Sequence, residues 1–162
     1  MTTQDFSRDD VMKILNKVMD PEIPVVSLIE MGIIRNVEFE SQKIIVTITP
    51  TFSGCPALKV MQDDIRTKLE VIGLPVDIKT VLAPAWTSDW ITEGAKQKLA
   101  SYGIAPPDPV NDQLIQLEPA PKACPKCGSI NTRMTNTFGS TLCKTIHTCN
   151  NCLEPFEAFK TV

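Results

Sequence analysis

A single histidine, a single tyrosine and two tryptophans among 162 residues leave this chain poor in the groups that enzymes use for proton transfer and ring stacking. The one histidine, His147, lies beside a cysteine pair, so no base is evident for the isolated Cys55, and a cysteine hydrolase is not supported. There is no glycine-rich phosphate loop and no dinucleotide fingerprint, which removes the usual signs of a nucleotide cofactor. No apolar run approaches the ~18 residues of a membrane span. No charged-then-apolar leader occupies Met1 to Leu15, so the chain reads as soluble, intracellular and cytoplasmic. A dense basic stripe is lacking too. Residues 120–162 carry 5 basic and 2 acidic side chains, against 11 and 17 in residues 1–119, and this mild excess disfavours a nucleic-acid binder.

What the chain does have is sulfur in one place. Five of the six cysteines fall in the last forty or so residues, a segment too short to bury a stabilising core without a staple. In a reducing compartment, paired C-x-x-C spacings point to metal ligands rather than disulfides. Cys124-Pro125-Lys126-Cys127 and Cys149-Asn150-Asn151-Cys152 are two such pairs, 21 residues apart, slightly beyond the usual window of about 15 to 20. Two residues between sulfurs let a tight turn aim both to one side, and two turns make a tetrahedral shell suited to zinc, with iron the rival. Asn131–Phe138 and Thr141–Thr148 are long enough for the hairpin that would bring the turns together. Binding of structural zinc by such peptides is worth on the order of 10 to 16 kcal/mol, so the metal is expected to be part of the fold. Cys143 is a further thiol, either packed under the hairpin or held in reserve. His147 could compete as a ligand, but the four cysteines are favoured.

The rest of the chain reads as α+β. Ser7 and Asp10 form a candidate capping box before Val11, Ile14, Leu15 and Val18, spaced for a helix of about three turns. Ile33–Glu40 and Lys43–Thr49 read as a hairpin around Ser41-Gln42, with Ile44, Val46 and Ile48 sharing one face. Leu58, Met61, Ile65 and Leu69 stripe a second helix, Val76–Val81 reads as a third strand, and Ser88 is a candidate N-cap for a helix through Leu99. Five prolines within residues 103–123 mark a linker. The expected organisation is therefore a helix/sheet sandwich over 1–102, a Pro-rich linker at 103–119 and a zinc-ribbon-like β module over 120–162.

Cys55, in Ser53-Gly54-Cys55-Pro56, precedes the second helix, where amide protons and the helix dipole are expected to lower a thiol's pKa. A small apolar residue packed at a helix start is the plainer alternative. Asp20 and Glu22 sit in a proline-bounded loop that is either a solvated turn or a source of oxygen ligands near that helix.

Asp20-Pro21-Glu22-Ile23-Pro24-Val25-Val26-Ser27-Leu28, followed by Thr49 to Pro56, resembles the signature of a small domain shared by iron-sulfur cluster assembly factors and PaaD proteins of phenylacetate degradation. Ala83 to Ile91 and the ending Cys149 to Lys160 are similar to PaaD specifically. The resemblance implies a non-enzymatic accessory protein of the phenylacetyl-CoA epoxidase. That oxygenase has a di-iron component and an iron-sulfur reductase, either of which would be the client for metal insertion. It further implies that Cys55 is the motif cysteine, holding iron or an iron-sulfur cluster transiently, that Asp20 and Glu22 form the acidic loop, and that Cys143 lies in a stretch typical of PaaD. A structural or regulatory subunit with no metal-transfer role is the alternative.

Overall fold

The computed structural model describes residues 6–40, 42–110 and 120–162, in two compact units, one ending at Trp86 and the other beginning at Thr87. Ser41 of the expected hairpin turn, and Pro119 with most of the expected linker, lie outside the described residues.

In the first unit the capping box forms as the sequence suggests. The Asp10 amide donates to Ser7 Oγ and the Ser7 amide to Asp10 Oδ2, starting α1 (Arg8–Leu15). The helix is shorter than its apolar spacing predicts: Val18 is buried but lies beyond the helix, in a tightened turn where its amide donates to the Leu15 carbonyl. Strands β1 (Ile34–Glu40) and β2 (Lys43–Ile48) pair antiparallel, and β3 (Val76–Thr80) adds parallel to β2 after a crossover through α2 (Leu58–Leu69), giving the order β1-β2-β3. Being central, β2 buries Ile45 as well as Ile44, Val46 and Ile48, so both of its faces are covered rather than the one its alternation suggests. Met61, Ile65 and Leu69 are the buried face of α2. Trp86 is buried and donates its indole N–H to the Met31 carbonyl at 2.9 Å.

The second unit departs further from expectation. Thr92, not Ser88, caps α3 (Glu93–Tyr102), its hydroxyl accepting from the Ala95 amide at 3.2 Å, while Ser88–Trp90 form a separate 3₁₀ turn. Residues 87–102, which composition assigns to the N-terminal domain, fall in the second unit. Ile104–Ala105, inside the proline-rich stretch, form β4 and pair parallel with β7 (Pro155–Phe159). β7 pairs antiparallel with β6 (Lys144–Cys149), and β6 with β5 (Thr132–Asn136), so the sheet order is β4-β7-β6-β5. Two residues are too short a run for any periodicity to betray β4, and only pairing with a distant strand creates it.

Among the described residues, no helix is long and apolar enough to cross a membrane.

Candidate metal centre

The hairpin of β5 and β6 places Thr132 opposite Cys149 and so brings the first cysteine pair beside the second. Register slips between Met134 and Asn136, and the connecting loop between the strands absorbs the long spacing between pairs. Each pair closes as the same turn. The Gly128 amide donates to the Cys124 carbonyl at 2.8 Å and the Cys124 amide to the Ser129 carbonyl at 2.9 Å; the Leu153 amide donates to the Cys149 carbonyl at 3.0 Å and the Cys149 amide to the Glu154 carbonyl at 3.0 Å. The residue after the second cysteine must therefore be left-handed. Gly128 (φ 76°) meets this freely, whereas Leu153 (φ 63°) meets it at the steric cost that a Cβ carries in that region.

Four sulfurs converge. Those of Cys124, Cys127, Cys149 and Cys152 lie within 4.8 Å of one another, with Cys124–Cys152 at 3.7 Å and Cys127–Cys149 at 3.6 Å. A regular tetrahedron of metal–sulfur bonds of about 2.3 Å has edges of about 3.8 Å, close to these two separations, so the donor set fits one tetrahedral thiophilic ion with small side-chain adjustments. Without an ion the thiols hold their protons unequally. The Cys152 amide, followed by the Asn151 amide and neighbouring thiols, pulls Cys149 down to about 6. At Cys152 the Glu154 amide favours the thiolate, but desolvation and hydrogen bonds from Cys127, Cys149 and Cys124 outweigh it and push that thiol up to about 12. Metal binding, which needs all four as thiolates, must therefore displace protons.

His147 is not one of the gathered donors. It is 2 % exposed, stacks on Phe156 with ring centroids 5.5 Å apart, and shares a 2.9 Å hydrogen bond with Thr145 Oγ1 through Nε2. Its Nδ1 is buried with no partner among the described residues. Desolvation, with Lys122 adding its charge, holds the ring below the ordinary histidine range and hence neutral. Cys143 also lies outside the donor set, half-buried, with its sulfur 3.1 Å from Thr141 Oγ1.

The first unit brings Cys55, Asp20 and Glu22 into electrostatic range. Asp20 is buried and its Oδ1 accepts from the Glu22 and Ile23 amides at 2.8 and 3.0 Å, while its own amide donates to the Val26 carbonyl. With Ile23 and Val26 buried as well, this loop is a packed element and not a solvated turn. Cys55 is half-buried ahead of α2. Its thiol is shifted up, contrary to the helix-terminus expectation: desolvation dominates, and the charges of Glu22 and Asp20 add to it against the favourable amides of Ala57 and Leu58. The dipole argument fails because partial burial of the thiol, with two carboxylates in electrostatic range, outweighs the favourable amides. Among the described residues, these three groups are not gathered closely enough for one ion.

Sequence reasoning overlooked Lys126 and Glu154, whose 2.8 Å ion pair spans the two cysteine turns. The signal available was their position, one inside the first pair and one just past the second.

Comparison with known proteins agrees with both halves of this description. Residues 8–81 match the family described as iron-sulfur cluster assembly protein, and residues 108–160 match the PaaD zinc beta ribbon domain. The chain is 38 % identical over 154 residues, 94 % of its length, to an Escherichia coli protein provisionally named as a component of 1,2-phenylacetyl-CoA epoxidase, covering 92 % of that relative. Over 98 residues, 57 % of the chain, it is 33 % identical to a Porphyromonas gingivalis Fe-S protein maturation auxiliary factor, covering 90 % of it. A solved domain of unknown function from Bacillus anthracis, DUF59, shares the fold of part of this chain, with a TM-score of 0.52 at 23 % identity over 56 % of the chain and 89 % of that domain. By sequence over nearly its whole length, and by an assembly-type domain joined to a four-thiol ribbon, the chain belongs to the PaaD family.

Proposed function

We propose that this protein is a non-enzymatic accessory factor that assists iron or iron-sulfur cluster insertion into a component of the phenylacetyl-CoA epoxidase system. The ribbon thiols Cys124, Cys127, Cys149 and Cys152 hold zinc, and Cys55 is the transient handling group. The observation that carries the reading is the environment of Cys55: a half-buried thiol with the Asp20 and Glu22 carboxylates in range, on the domain that matches the assembly family. A soft sulfur within electrostatic range of two carboxylates suits iron held at the sulfur, whose bound form would draw off the thiol proton and offset the two negative charges. An incomplete donor set also suits a carrier, because the remaining positions are left to a second chain or to the client. The P. gingivalis and E. coli relatives, by their names, supply the iron-sulfur maturation and the epoxidase context.

The test is client metallation in cells. Replacing Cys55 by serine should leave the ribbon's zinc in place and lower the iron content and activity of the epoxidase. Full iron content and activity in the client would refute the reading. Stable stoichiometric copurification with the oxygenase, with no effect on its metal content, would instead identify a structural or regulatory subunit.

A further inference from the structure

A closed structural site shields its ligands, and this one does not do so evenly. Cys124 is 2 % exposed and Cys149 0 %, and Cys152 is half-buried, yet Cys127 is open to water. The two cysteine turns are also tied unequally. On the hairpin side, Thr132 pairs with Cys149, the Asn150 amide donates to the Asn131 carbonyl, and the side chains of Asn131, Asn150 and Asn151 exchange hydrogen bonds at 3.0 and 3.2 Å. Beyond these, a side-chain link between the turns is the Lys126–Glu154 ion pair, half-exposed at both ends.

We propose that the ribbon centre is exchange-competent: Cys127 is the ligand through which a thiophilic divalent ion enters and leaves, and the Lys126–Glu154 pair is the clasp that sets the rate. An incoming donor, such as a chelator nitrogen or another protein's thiolate, bonds to the ion as the Cys127 sulfur–metal bond breaks. The freed thiolate takes a proton from solvent, and no electron moves. Cys127 departs first because it is the exposed member of the donor set, whereas Cys124 and Cys149 lie in the apolar cluster with Phe156 and Ala158. Exposed ion pairs are worth about 0.2–1 kcal/mol, so the clasp adjusts the rate by about 1.4- to fivefold rather than deciding whether metal binds. The inference rests on the four-thiol centre alone, and a failure of the maturation reading would leave these rates untouched.

The experiment uses the full chain loaded with zinc, treated with iodoacetamide. Labelling is mapped by mass spectrometry, and free zinc is read with 4-(2-pyridylazo)resorcinol. Each alkylation forms a sulfur–carbon bond and expels iodide. Cys127 should be labelled before the other three ligands, with one zinc released per Cys127 modified and a single rate constant for both; Cys55 and Cys143 report the reactivity of thiols outside the centre. Glu154→Gln, which keeps the backbone bond to Cys149, should raise that rate about 1.4- to fivefold, whereas Lys126→Arg should stay near wild type. Added salt should speed the wild type more than Glu154→Gln. Labelling of Cys124, Cys149 or Cys152 as early as Cys127, zinc release with Cys127 unlabelled, or equal rates in Glu154→Gln and wild type would each overturn the proposal.

Discussion

The first unit rests on a sheet whose central strand alone buries Ile44, Ile45, Val46 and Ile48, and on helices that add Leu15, Met61, Ile65 and Leu69 to the interior. Among the described residues, the apolar cluster beneath the ribbon knuckles is Ala105, Cys124, Cys149, Phe156 and Ala158, with Cys152 packed against it, and two of those five belong to the four-thiol donor set. Apolar burial at about 25 cal/mol per Å² can hold the first, while the smaller cluster of the second leaves room for bonds from the four thiols to an ion to supply the larger share. One chain thus uses two stabilising principles side by side, and each should yield to a different insult.

The largest expected separation comes from Cys149→Ser. Loss of one of four thiolates from a site worth on the order of 10 to 16 kcal/mol should remove zinc and the amide-exchange protection of β5, β6 and β7, with β1 to β3 still protected. Retained protection in β6 would show that packing alone carries the ribbon. The mirror experiment is Ile65→Ala, at a fully buried site. It should cost about 2–5 kcal/mol in urea unfolding followed through β1–β3, with zinc content unchanged.

Acid should sharpen the contrast further. His147 is neutral in the fold with its pKa lowered chiefly by desolvation, so the unfolded chain takes up the proton first. The stability this neutrality preserves is present above about pH 6.5, the ordinary value, and is lost as pH falls below it. His147→Gln should flatten that slope in ribbon stability measured by hydrogen exchange, and an unchanged slope would assign it to the thiols alone. The smallest effect belongs to Leu153, whose left-handed backbone is the strained counterpart of Gly128. Leu153→Gly should raise ribbon stability by up to about 1 kcal/mol, read as a small shift in the thermal midpoint of the zinc-loaded protein.

How much of this was legible beforehand differs between the same two regions. The α2 stripe of Met61, Ile65 and Leu69 and the hairpin of β1 and β2 follow from periodicity, because one buried face writes itself into the sequence at a fixed interval. The four thiols follow from spacing, because a tetrahedral shell admits few arrangements of paired ligands. Cys55 was legible in position but not in chemistry. Its neighbour in sequence is a helix start, but burial of the thiol, with the charges of Glu22 and Asp20 from more than thirty residues earlier adding to it, reverses the expected shift.

By itself, then, the sequence determined that two C-x-x-C turns would bring four thiols together, that an α+β unit would precede them, and which apolar residues would line its helix. These are local matters, set by residue type at short spacing. Only the tertiary structure decided that Ile104–Ala105 would become a strand of the ribbon sheet, that Cys127 would face water while Cys149 is buried, and that Lys126 would meet Glu154. Those outcomes depend on which distant segments pack together, and pairing energies between remote residues leave no periodic trace in the chain that carries them.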